Sequence, residues 1–128
     1  MLMNVRTAYS SLWGCLILSI MSCETKNSLP DSLEAGWNGK AVCQVIEDNK
    51  ALRILKCTFA PKVGHEKHYH DPHFGYTLAG GKFRITDGTG TREVEVPTGY
   101  SFSNDDTTAH DVLNIGKTTA VFLIIEYK

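Results

Sequence analysis

Residues 65–81 read HEKHYHDPHFGYTLAGG, and four of the chain's five histidines, His65, His68, His70 and His73, fall within nine positions of it. The fifth is His110. In an extended chain, side chains two apart share a face, so His68 and His70 point the same way with Tyr69 opposite, and two imidazoles can reach one ion. His110 stands in a separate run, AHDVLN, where alternation puts His110, Val112 and Asn114 on one face and Asp111 and Leu113 on the other. A small β-barrel would bring that third imidazole to the first two. Neutral imidazole suits zinc, iron, copper, nickel and manganese alike, so the set predicts a divalent transition metal without naming it.

Outward from this stretch, the chain from Lys40 is a succession of short apolar or alternating runs at 40–47, 51–60, 74–79, 82–87, 91–96, 100–103, 108–114 and 119–127. The breaks DNK, PKVG, AGG, DGTG, PTG, NDDTT and NIGK hold the glycine, proline and asparagine that tight reversals need. No run has a helical period. Regular short spacing of this kind predicts an all-β sandwich or barrel. REVEV alternates, with Val94 and Val96 opposite Glu93 and Glu95, and reads as half-exposed, whereas AVFLIIEY is apolar nearly throughout and reads as a central strand.

At 128 residues, with 42% hydrophobic and 21% charged side chains, the chain has the size and balance of one small domain. A formal net charge of -1 with scattered lysines and arginines offers no face for nucleic acid and no polybasic strip for anionic lipid. The first residues, MLMNVRTAYSSLWGCLILSIMSC, hold Arg6, no acidic residue and an apolar stretch from Leu12 to Met21, which is a secretory signal pattern too short to span a bilayer. Their end, LSIMSC, resembles the lipobox of bacterial lipoproteins through Ile20, Ser22 and Cys23. The resemblance implies a signal peptide over 1–22, acyl chains on Cys23 and a membrane anchor facing the periplasm or the cell surface. Ordinary secretion with cleavage nearby is the plainer alternative, and both place the protein outside the cytoplasm. Residues 23–39, polar and without an apolar period, then read as a tether.

Cys15 belongs to the removed segment and Cys23 to the anchor, which leaves Cys43 and Cys57 in the domain. In an oxidising compartment such a pair invites a disulfide. A three-residue loop, Asn49 to Ala51, would set 43 opposite 57, and a two-residue loop would not. Two small buried hydrophobes are the alternative reading.

Residues 40–128 also resemble a small single-domain cupin. The first cupin motif runs glycine, five residues, His-x-His, three or four residues, glutamate, six residues, glycine; here Gly64, His68-Tyr69-His70 and Gly81 follow it, with an opening gap of three and Phe74 in the glutamate's place. The second runs proline-x-glycine, two residues, histidine, three residues, asparagine; here Pro97-Thr98-Gly99 stands ten residues before His110, which keeps its spacing to Asn114. The segments APKVG, YTLAGGKFRI, PTGY and HDVLNIGKTTAVFLIIEYK follow the same rhythm. The resemblance implies a double-stranded β-helix, or jelly roll, with His68, His70 and His110 as metal ligands and no counterpart to the fourth. Such a three-histidine set with open positions is similar to the iron sites of some cupin dioxygenases and equally to a zinc site holding water. Fe, Mn, Zn and Ni all remain open.

His73 would join only if Pro72 distorts the strand, since its odd spacing from His70 otherwise turns it away. His65 reads as a solvated loop residue, and Asp111 and Glu126 as surface or rim charges. Phe74 and Tyr76 share parity with His70 and, with Asn114, are the expected pocket residues. No Ser-His-Asp order, phosphate loop or CxxC pair is present. The expected function is a metal-dependent enzyme acting on a small molecule. The competing expectation is a cupin that binds a small molecule, sugar or metal without turnover, and the family resemblance adds a possible homodimer.

Overall fold

The computed structural model describes residues 28–128. The expected signal peptide, the expected acylation of Cys23 and the start of the expected tether lie outside the described residues. Strands run in the order β1 (Gly36–Trp37), β2 (Lys40–Ala41), β3 (Cys43–Asp48), β4 (Leu52–Phe59), β5 (Gly64–His70), β6 (His73–Ala79), β7 (Gly81–Asp87), β8 (Gly90–Val96), β9 (Ser101–Asn104), β10 (Thr108–Asn114) and β11 (Ala120–Tyr127). They form a four-stranded sheet in the order β5-β10-β7-β8, a five-stranded sheet in the order β3-β4-β11-β6-β9, and a small β1-β2 ribbon. The named pairings are antiparallel.

Placement follows patterning. AVFLIIEY becomes β11, the middle strand of the larger sheet, with Ala120, Phe122, Ile124 and Glu126 buried on one face. REVEV lies in the edge strand β8, where Glu93 and Glu95 are exposed and Val94 and Val96 half-buried. Between the sheets Phe59, Phe83 and Phe122 meet edge to face at 5.5 to 5.9 Å, geometry that aromatic quadrupoles favour. The interior grades along β11 from that apolar end, at Ala120 and Phe122, to Glu126, which pairs across the sheet with His73 of β6. His65 packs against Phe59 at 6.1 Å between centroids and marks where the aromatic half gives way to imidazoles.

Two boundaries differ from expectation. Residues 30–39 are not a free tether: Asp31 bridges Tyr69 of β5, Ser32 and Ala35 are buried, and the Trp37 ring lies over Gly64. The docking combines the Tyr69 amide donating to the Pro30 carbonyl and the Asn38 amide donating to Glu66 with Leu33 and Trp37 packed against the core and Ala35 buried, an alternation of only three apolar residues inside a polar stretch. The β3-β4 strands end at Asp48 and Leu52 as a three-residue loop requires, but the turn is one residue wider in register than expected, since Asp48 pairs with Arg53 rather than with Leu52. A register shift between Val45 and Glu47 absorbs the extra residue and returns Cys43 to Cys57, and the two sulfurs are bonded.

Candidate metal centre

The histidines reach the interior by two interruptions of strand alternation. Between its partners His110 and Val112 on β10, β5 spends two residues, Glu66 and Lys67, opposite the single Asp111. That bulge reverses parity, so His65, three residues before His68, faces the same way. His65, His68 and His70 are all buried, and Glu66 and Lys67 are exposed. His65 is therefore not a solvated loop residue: its Nε2 donates to the Ala35 carbonyl at 3.1 Å and its ring lies 3.8 Å from that of His68. The second interruption is Asp71-Pro72, where the chain leaves one sheet for the other. Alternation restarts at His73, so His73, Gly75 and Thr77 are buried while Tyr76 and Leu78 are exposed. Phe74 and Tyr76 thus lie on the outward face, not in the pocket expected from parity with His70, and Tyr76 is 40% exposed.

Ring nitrogens of His68, His70 and His110 all lie within 4.8 Å of one another. His110 contributes from β10, its ring 4.9 Å from His68 and 5.2 Å from His70 between centroids. His73 stands beside His70 at 4.8 Å, on the flank of this trio and against the Phe102 ring. That ring covers Gly75 so closely that a Cβ there would sit 2.1 Å from it. Asn114, expected in the pocket, works elsewhere: its amide nitrogen donates to the carbonyls of Phe59 and Thr118, and its oxygen accepts from the Gly116 amide, each at 2.9 Å. A groove of about 830 Å³ between Gly80, Pro97 and Lys117 holds none of the histidines.

Hydrogen bonding fixes which nitrogens are free. His68 Nδ1 lies 2.7 Å from the Glu66 carbonyl, which can only accept, so Nδ1 carries the proton and Nε2 a lone pair. His70 Nδ1 lies 3.3 Å from Glu126 Oε1, and an ionised carboxylate also only accepts. The two Nε2 atoms then face each other at 2.9 Å. Bare lone pairs at that distance repel, and a shared cation relieves the repulsion. Two nitrogens each about 2.1 Å from one ion and at right angles stand about 3.0 Å apart, so the donor set fits a divalent metal.

Burial, reinforced by neighbouring imidazoles, pushes His68 down to about 2 and His110 down to about 4. Burial likewise lowers His65 to about 4, and lowers His73. All four are neutral at pH 7, the form that ligates. Glu126, expected at the surface, is 4% exposed. Burial raises its pKa, but hydrogen bonds from His70, Ser32 and Arg53 and the Arg53 charge outweigh it and hold the carboxyl at about 2. Arg53 Nε and Nη2 donate to Oε2 at 2.8 and 2.6 Å, the Ser32 hydroxyl donates to Oε1, and Arg53 Nη1 reaches Asp31 at 3.0 Å. The signal for Glu126 was its even spacing from Phe122 and Ile124 in a central strand; Ser32 and Arg53 carried none.

No protein-family model and no curated protein matches the chain. Solved structures do. A cupin domain from Bordetella pertussis Tohama I is 22% identical, with a TM-score of 0.64 over 79% of this chain and 97% of its own. An uncharacterized conserved protein with a double-stranded β-helix domain from Klebsiella pneumoniae is 14% identical, with a TM-score of 0.58 over 70% and 78%. The polyketide cyclase RemF from Streptomyces resistomycificus is 16% identical, with a TM-score of 0.56 over 74% and 73%. Identities this low speak to architecture and leave activity open. The architecture of this chain is the cupin jelly roll.

Proposed function

We propose that this is an exported, membrane-anchored cupin-domain protein that holds one divalent transition metal through His68, His70 and His110 and acts on a small molecule at that ion. The observation that carries the reading is the approach of His68 Nε2 and His70 Nε2 to 2.9 Å, with a third imidazole inside the same 4.8 Å cluster. When bound, the metal supplies Lewis-acid activation or oxygen chemistry at positions the three histidines leave open. The chain's own part is to occupy Nδ1 of His68 with the Glu66 carbonyl and Nδ1 of His70 with Glu126, and to flank the cluster with Phe102 against His73 on one side and Phe59 against His65 on the other. Fe, Mn, Zn and Ni all suit the donors.

Export is supported by the Cys43–Cys57 bond, which belongs to an oxidising compartment. With acyl chains on Cys23, the seven residues to Pro30, where docking begins, reach at most about 25 Å, so the barrel would ride close to the membrane. Pairing of two barrels is supported by the outward strip Ile54, Leu123, Ile125, Phe74 and Tyr76, whose members sit side by side in the larger sheet. Sedimentation of wild type against Tyr76→Ser tests it, and a monomeric wild type at micromolar concentration rejects it.

Elemental analysis of protein purified without a histidine tag tests the metal: about one ion per chain is expected, lost in the His68→Ala/His70→Ala double variant. Less than a tenth of an ion per chain overturns the reading. A non-catalytic binding protein is the second reading, favoured by one observation: Glu126, the carboxylate beside the cluster, already accepts from Ser32, Arg53 and His70 and is not free for proton transfer. Stoichiometric small-molecule binding with no turnover by the metal-loaded protein would select it.

A further inference from the structure

We propose that Glu126 is a positioning residue for this site, fixing the Nε2 lone pair of His70 toward His68 and His110, and that the N-terminal segment Pro30–Ala35 belongs to the site because it holds Glu126. The inference rests on reading the three histidines as ligands.

The free imidazole of a histidine places its proton on whichever nitrogen finds the better acceptor, so the partner of Nδ1 decides whether Nε2 can ligate. For His68 that partner is a backbone carbonyl, which the fold supplies whatever the side chains are. For His70 it is Glu126 alone. The family's glutamate is replaced by Phe74, and Phe74 is on the far side of the sheet. Glu126 arrives instead from β11, through His70. A carboxylate hydrogen-bonded to a ligating histidine raises the ring's basicity and fixes its orientation.

Glu126 does not stand alone. Arg53 grips one of its oxygens with two nitrogens and Asp31 with a third, and the Ser32 hydroxyl donates to the other. Two carboxylates and one guanidinium leave this group a net charge of -1 beside His70, where a bound cation meets an opposite charge. Asp31 and Ser32 are in register because Tyr69, one residue before His70, donates its amide to the Pro30 carbonyl. The same segment holds His65 through the Ala35 carbonyl, and His65 stacks on His68. The residues before β1 therefore brace both ends of the β5 histidine row.

The test uses the full mature protein with ¹⁵N-labelled histidine. In metal-free wild type, long-range ¹H–¹⁵N correlation is expected to show His70 protonated on Nδ1 and bare on Nε2; in E126Q, whose side chain is neutral and can flip, a substantial share moves to the Nε2-protonated form. Titration with Co²⁺, read by its visible absorption, is expected to give a 10–100-fold weaker Kd in E126Q, and a smaller loss in the same direction in S32A. A His70 tautomer and a Co²⁺ Kd within twofold of wild type in both variants overturn the proposal. If E126Q does not fold, S32A makes the same comparison. A tautomer that responds in a wild-type background that binds no Co²⁺ sinks the metal reading while leaving Glu126 its orienting role.

Discussion

Acidification should destabilise the metal-free domain well above the pH at which its carboxylates titrate. His65, His68 and His110 have folded pKa values of about 4, 2 and 4 against an ordinary 6.5, because burial disfavours their charged forms. A group whose pKa is lowered by folding binds its proton more readily in the unfolded chain, so its contribution is complete above pH 6.5 and is lost as pH falls toward the folded value. At pH 5.5 each unfolded imidazole gains about 1.4 kcal/mol from protonation that its folded counterpart forgoes, so the three together cost about 4 kcal/mol relative to pH 7.5. That is a large part of the roughly 5–15 kcal/mol total of a domain. Urea denaturation of chelator-treated protein at pH 7.5, 6.5 and 5.5 measures it, and His65→Gln should remove about a third of the fall. Glu126 titrates in a lower window, its contribution intact above about 4.5 and lost toward about 2. A decline below about 1 kcal/mol between pH 7.5 and 5.5, or a gain, would show that these imidazoles are not held neutral and would refute the argument from burial.

Three other outcomes follow from separate parts of the structure. Reducing the Cys43–Cys57 bond, or replacing both residues by serine, releases a loop of sequence separation 14 and should cost about 3 kcal/mol, lowering the melting temperature by about 12 °C; a shift under about 3 °C would mean that strand pairing alone holds the hairpin. Asn114→Ala strands two carbonyls and an amide at the apolar end and should cost about 2–4 kcal/mol in denaturant melts with metal affinity unchanged, whereas a weakened metal Kd at full stability would return Asn114 to the pocket. His110→Ala should weaken Co²⁺ binding at least a hundredfold by titration, about 2.7 kcal/mol, while His73→Ala, on the flank of the cluster, should leave it within a few-fold; equal losses would make His73 a ligand.

What was legible in the sequence, and what was not, divides along one physical rule. Alternation of side chains belongs to a single uninterrupted strand. Within such strands it read correctly: β11 as central, β8 as half-exposed, His68 and His70 on one face. Wherever the count ran through a break, it failed. Counting from His70 across Pro72 put Phe74 and Tyr76 inside and His73 outside, and the corner between sheets reverses all three. His65, read as a solvated loop residue, lies instead inside β5, and the Glu66-Lys67 bulge turns it inward; two adjacent charged residues between histidines were the visible mark of that bulge. The β3-β4 hairpin makes the point from the other side. There an unforeseen one-residue register offset at the turn and an unforeseen bulge cancel, and Cys43 meets Cys57 by two deviations rather than none. Glu126 needed no such correction, since its parity with Phe122 and Ile124 already pointed it inward; what obscured it was the habit of reading a charge as surface, when a buried carboxylate is stable wherever donors such as Arg53, Ser32 and His70 converge on it. A barrel built from corners and bulges therefore hides its second layer of site residues more thoroughly than its ligands, because the ligands sit within one strand's period and their supports arrive from elsewhere in the chain.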